Sequence, residues 1–212
     1  MKKLSVAFAG LAIAALALTG CTSSPADRAV KVTPSAEAEP SEAPEAAPAD
    51  AAFDGGADAA PGSTVPAGTW GNIPYLDYDD NESVLSHHLK SVDKAAQADV
   101  DTLVAEIPEL KGMDVYFANV ESRYVSGDLQ PFTQPSDFDV VDANGDRVQS
   151  LILVGFDACP SDSFGDEDEV KTQVITNCYA AAVAPGGNVP AGVKWSQYET
   201  PTEEEPVLFV VK

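Results

Sequence analysis

The chain has 212 residues, 34 acidic against 12 basic, 44% hydrophobic, with 16 Pro, 15 Gly and 3 Cys. That length suits one globular domain or two small ones and excludes a large multidomain enzyme. A net charge of −22 argues against nucleic acid, and against anionic lipid held through a basic surface, because both need Lys and Arg to neutralise phosphate.

At the N-terminus, Met1-Lys2-Lys3 supplies positive charge, and Val6 to Leu18 is an unbroken run of Val, Ala, Phe, Gly, Leu and Ile. As a helix this run reaches about 20 Å, short of the roughly 30 Å hydrocarbon core. It therefore reads as a signal-peptide core and not as a membrane span. The run ends in Leu18-Thr19-Gly20-Cys21, which resembles the lipobox of bacterial lipoproteins. Small residues there fit a narrow peptidase site, and the Cys thiol carries the diacyl lipid. The alternative is an ordinary secretory peptide with an incidental Cys. Residues 1–21 are thus expected to be a lipoprotein signal peptide, with Cys21 the lipid attachment. Two or more acyl chains of the palmitate kind hold a protein stably to a bilayer, which places this one on the extracytoplasmic face of the cell membrane.

Residues 22–68 contain 14 Ala, 7 Pro, 8 acidic and 2 basic residues, with Phe53 the sole aromatic. No helical or strand period runs through them, and too little apolar surface is present to offset backbone entropy, so a disordered linker is expected. Its Pro and acid content gives a reach of roughly 40 Å or somewhat more. No internal repeat is present here or further on.

The remaining residues, 69–212, carry 26 acidic and 8 basic side chains, a net of −18. Trp70, Ile73, Tyr75, Leu76 and Tyr78 open the fold as an edge strand or an aromatic-rich loop. From Ser91 to Leu110, Val92, Ala95, Ala96, Val100, Leu103, Val104 and Ile107 recur at three- and four-residue spacing, which predicts a helix. One helix is expected, either continuous or broken near Ala98 with Asp99 as cap of a second part, and Pro108-Glu109 with Gly112 ends it. Residues 69–111 therefore read as a helical lead-in to residues 112–212.

After Gly112 the period changes to two. Tyr116, Ala118, Val120, Ser122 and Tyr124 fall on one face of a strand over Asp114 to Val125, with Phe117, Asn119, Glu121 and Arg123 on the other. Further strands are expected over Asp137–Val141, Val148–Val154, Cys178–Ala184, Val189–Tyr198 and Val207–Val211. Asp142-Ala143-Asn144-Gly145-Asp146 reads as a hairpin turn whose Asn-Gly pair suits type I′ geometry, and Pro185-Gly186-Gly187-Asn188 as another turn. Short strands with turn signals every 8 to 15 residues argue for an antiparallel β-sandwich, since a parallel sheet needs helices between strands. The fold class expected is mainly β, a sandwich with one N-terminal helical segment.

With Cys21 lipidated, Cys159 and Cys178 remain as an even pair in an exported domain, so a disulfide is expected. Closing that loop stabilises by roughly 3 kcal/mol in the chain-entropy model. A reduced redox pair lacks a Cys-x-x-Cys motif. The enclosed acidic stretch is expected to project, with Asp162 to Glu169 as a loop clipped to the end of the sandwich.

The series Val115-Tyr116-Phe117-Ala118-Asn119-Val120, Phe138 to Gly145, Asn177-Cys178-Tyr179 to Pro185-Gly186-Gly187, and Val193-Lys194-Trp195 resembles bacterial cell-surface lipoproteins with a poorly characterised immunoglobulin-like domain. The similar region covers about Gly112 to Lys212. The acidic insert between the cysteines is longer than that pattern. The resemblance implies an immunoglobulin-like sandwich outside the cytoplasm and implies no catalytic residue.

His87 and His88 are the only histidines. Adjacent positions cannot easily chelate one metal, and no Cys/His cluster accompanies them, so a surface or helix-edge role is expected. No nucleophile-elbow motif supports a Ser-His-Asp hydrolase. Asp142, Asn144 and Asp146 have the spacing of the first half of a calcium loop, but Arg147 replaces its Gly and Leu153 its bidentate Glu; the hairpin explains the same residues without an ion. Asp162, Asp166, Glu167, Asp168 and Glu169 read as a solvated acidic loop with at most weak cation attraction. Trp195 lies on the expected core face with Val193 and Ala191, against the disulfide as in immunoglobulin-like cores. Trp70 and Tyr75 fall outside that register and are candidates for an exposed contact surface.

The reading that follows is a lipid-anchored extracytoplasmic binding or scaffolding module. It is not an enzyme and has no cofactor; its partners are the membrane, through the anchor, and an unidentified cell-surface protein. The alternatives are a small-ligand or divalent-cation binder, suggested by the charge, and a secreted hydrolase.

Overall fold

Alternation along residues 114–127 builds the central strand of the molecule. The computed structural model describes residues 55–211; the expected signal peptide, Cys21 and the linker up to residue 54 lie outside the described residues. Two sheets face each other. One has six strands, β1 (Ala57–Asp58), β3 (Trp70–Leu76), β4 (Glu82–Lys94), β5 (Asp114–Gly127), β8 (Val174–Val183) and β7 (Gln149–Leu151), in that spatial order. The other has four, in the order β2 (Thr64–Pro66), β10 (Val207–Val210), β9 (Pro190–Trp195) and β6 (Phe138–Asp142). One helix, α1 (Gln97–Glu106), and a 3-10 turn at Pro108–Leu110 join β4 to β5.

Ile73, Leu85, Leu89, Val120, Val140, Val193, Trp195 and Phe209 meet between the sheets and are fully buried. Each such side chain contributes roughly 1.5–3 kcal/mol through removal from water. The opposite face of the six-stranded sheet is also apolar. Val115, Phe117, Ala180 and Ala182 lie there under Leu103 of α1, Leu110 and Cys159. The two faces of β5 thus divide as the alternation predicts.

Several expectations are corrected. The helix expected over Ser91–Leu110 gives way to strand at its start, because Ser91 to Lys94 pair with Asn119 to Tyr116 of β5 and the ladder overrides the helical spacing. What remains helical is α1, whose N-cap Ala96 makes no side-chain cap bond; Asp99 is not the cap. Residues 57–58 and 64–66, expected in the linker, form β1 and β2. These strands pair in parallel with β3 and β10, so both sheets are mixed rather than purely antiparallel. Ala59 and Val65 are buried beside Gly71. A Cβ on Gly71 would meet Val65 Cγ2 at 3.1 Å and the Ala59 Cβ at 3.3 Å, so Gly71 admits this segment to the core. The Asn144-Gly145 turn is a three-residue loop rather than type I′: the Gly145 N–H donates to the Asp142 carbonyl at 3.0 Å, and Gly145 alone takes the left-handed conformation (φ 82°).

The Cys159–Cys178 disulfide is formed, with a Cα–Cα distance of 5.0 Å. It sits on the outer face of the six-stranded sheet, so Trp195 does not pack on it. Nor does the acidic insert project. Phe164 and Val170 are buried in the core between the sheets, while Asp162 bonds to Asn177 and Thr176 of β8. Two apolar side chains in an otherwise acidic run are enough to fold it inward.

Candidate functional site

The hairpin at residues 77–81, the β5–β6 connection at 128–137 and the β9–β10 connection at 196–206 emerge at one end of the sandwich. Gln197 ties them together. Its side-chain carbonyl accepts from Leu76 N–H at 2.9 Å, and its amide donates to the Leu76 carbonyl at 2.8 Å and to Asp137 Oδ2 at 3.4 Å. A buried side chain thereby imitates a strand neighbour for the end of β3 and holds Asp137 beside it.

Asp77 shapes the hairpin. Its Oδ1 accepts the N–H groups of Asp79 and Asn81, each at 2.9 Å, and its Oδ2 accepts Asn81 Nδ2 at 3.0 Å. Burial opposes ionisation of Asp77, but the hydrogen bonds from Asn81 and Asp79 prevail and hold its carboxyl below the usual carboxylate range.

Between these loops lies a cavity of about 250 Å³, with Tyr75, Asp77, Asp80, Asp137, Gln197 and Tyr198 in its walls and no Lys or Arg. Tyr75 is 6% exposed. Its ring lies 6.1 Å from that of Trp195, and its hydroxyl has no hydrogen-bond partner among the described residues. Burial, then the neighbouring Asp137, Tyr78 and Asp77, pushes this phenol up to about 12. Burial likewise raises the Asp137 carboxyl, with the Gln197 bond working against it. Two of the lining rings stand open to solvent, Tyr78 at 99% and Tyr198 at 71%; Phe132, on the β5–β6 connection but outside the lining, is also 71% exposed. The non-glycine residues with positive φ, Asp80 (61°), Phe132 (63°) and Glu199 (60°), all lie on these same three loops. Backbone held in that region is a feature of ligand-contacting segments.

No family model matches the chain, and no curated protein matches it. Among solved structures it is similar to MPT63, a secreted protein from Mycobacterium tuberculosis, at 14% identity over 69% of this chain and 95% of that one, with a TM-score of 0.44.

The candidate residues named from sequence divide between this end and elsewhere. Tyr75 is not an exposed contact residue: Gly71, Ile73 and Tyr75 share the inward face of β3, and Tyr75 lines the cavity from there. Trp70 faces outward but is half-buried, with the Arg123 guanidinium 3.7 Å above its ring and His88 at 5.0 Å. Asp142, Asn144 and Asp146 lie at the opposite end. There the Asp142 carboxylate accepts Asn144 N–H at 2.8 Å, Asp146 N–H at 3.0 Å and Asn188 Nδ2 at 2.6 Å. Its oxygens accept these N–H donors, and among the described residues no three His, Cys, Asp or Glu side chains gather into a cluster.

His87 corrects the surface role expected for it. It points inward from β4, stacks on Trp195 at 4.8 Å and meets Phe138 edge-on at 5.0 Å. Its Nδ1 lies 2.9 Å from Ser122 Oγ, a juxtaposition the sequence did not announce. Both residues are shielded from solvent. Sequence reasoning also missed Asp137, Gln197 and Tyr198. Asp137 read as a strand start and the other two as a strand end, and no local signal marks their convergence.

Proposed function

We propose that the protein is a lipid-anchored binding module of the extracytoplasmic face, with an immunoglobulin-like sandwich that engages a cell-surface protein through the loop end around Tyr75, Asp137 and Tyr198. The cavity at that end, lined in part by the exposed rings of Tyr78 and Tyr198, is the observation that carries the reading. Rigid strands present these loops, and exposed aromatic side chains at a concave site are the usual anchors of protein contacts. The anchor rests on Leu18-Thr19-Gly20-Cys21; replacing Cys21 by Ser should release the protein from membranes and abolish labelling by a palmitate analogue.

A second reading, a small-ligand binder, is favoured by the cavity alone. A photocrosslinking residue placed at Tyr198 and, separately, at Val189 on the opposite end separates a protein partner from this alternative. The proposal expects protein adducts on intact membranes from position 198 and few from position 189. Equal labelling from both, or none, would count against it.

A further inference from the structure

The loop end carries far more negative charge than a contact surface needs. Residues 77–82, 128–137, 161–173 and 196–206 hold 15 acidic side chains against the single Lys171. The insert belongs to the same end: Phe132 N–H donates to the Gly165 carbonyl at 3.1 Å, and Phe164 N–H to the Thr133 carbonyl at 2.9 Å. Such a field attracts cationic partners and speeds their encounter.

Charge alone makes no site; the cavity supplies the rest. Tyr75 is more than nine-tenths buried and lines the cavity, and its hydroxyl has no hydrogen-bond partner among the described residues. Asp137 receives one long bond, from Gln197 at 3.4 Å, and no Lys or Arg stands among the lining residues. A hydroxyl open to the cavity and a half-buried carboxylate thus keep acceptor capacity that the described residues do not use.

Resting on the binding-module reading, we infer that this end docks a basic protein segment, one of whose Lys or Arg side chains enters the cavity between Tyr75 and Asp137. An ammonium or guanidinium group supplies N–H donors to the Asp137 carboxylate and to the Tyr75 hydroxyl oxygen. The faces of Tyr78 and Tyr198 at the rim favour the same cation. A volume of about 250 Å³ corresponds to roughly eight waters, enough for the tip of either side chain. The occupant is a segment rather than a free amine because the acids extend past the cavity. Asp166, Glu167, Asp168, Glu203, Glu204 and Glu205 line no part of it, and a small cation would leave them unused.

Fluorescence anisotropy of labelled hexa-arginine and hexa-lysine peptides with the full chain in detergent tests this, alongside thermal unfolding of each variant. Binding is expected, weakened about tenfold by Asp137→Asn and several-fold by Tyr75→Phe, which keeps the ring, but less than about twofold by Glu204→Gln, which removes charge outside the cavity. Equal effects from all three variants would reduce the interaction to the general field and overturn the inference. So would absence of peptide binding, or methylguanidinium binding as tightly as the peptide, which would mark a small-cation site. A partner crosslinked at position 198 without any peptide binding would overturn this inference while leaving the binding-module reading in place.

Discussion

Asp80 and Gly145 occupy the same place in two hairpins built alike. In each, an Asp carboxylate collects two main-chain N–H groups, from Asp79 and Asn81 or from Asn144 and Asp146. The fourth residue then turns left-handed, with φ 61° at Asp80 and 82° at Gly145. Glycine takes that conformation freely and Asp does not. Asp80→Gly should therefore raise stability by about 0.5 kcal/mol, while Gly145→Ala, whose Cβ meets only Leu208 at 3.6 Å, should lower it by about 1 kcal/mol. Urea midpoints at constant slope measure both. His87 makes a second prediction. Burial pushes its imidazole from 6.5 down to about 3. Between those values the unfolded chain takes up a proton that the folded chain refuses, so stability is full above about pH 6.5 and falls below it by roughly 1.4 kcal/mol per pH unit. From pH 7 to 5, above the range where most carboxylates titrate, the native protein should lose about 2 kcal/mol more than His87→Gln. Equal losses in urea unfolding would show that His87 charges within the fold.

The insert between the cysteines is the element whose sequence and structure differ most. Its acids stay in water, as an acidic run should, yet Phe164 is fully buried among the core residues. Phe164→Ala should cost about 3–5 kcal/mol, as for a core aromatic; a projecting loop would lose almost nothing. Replacing Cys159 and Cys178 together by Ser should lower stability by about 2–5 kcal/mol. Because Leu103, Phe117 and Ala182 cluster with the disulfide and Trp195 does not, the near-ultraviolet signal of Trp195 should survive in the folded double variant. The alternation in β5 was legible because a half-buried strand writes period two into its residues. The end of β4 was not, since Val92 and Ala95 satisfy a helical period as well, and only pairing with β5 decides between them. β1 and β2 escaped because two or three residues carry no period.

At the scale of the molecule, the two ends of the sandwich are built differently. One closes on itself: Asp142 ties the turn that follows β6 to Asn188 of the β8–β9 turn. The other holds Asp137, Gln197 and Tyr75 around an open cavity under a concentration of carboxylates. Composition gave away the acidity but not its location, because Asp77, Asp137 and Glu199 meet only after β3, β6 and β9 are assembled. Hydrogen–deuterium exchange of the full chain, with and without hexa-arginine peptide, tests most directly whether the open end is a binding surface. Slower exchange over residues 77–82, 128–137 and 196–206, with no change over 142–149 and 184–189, is the predicted result; protection confined to 142–149 and 184–189, or none anywhere, would contradict it.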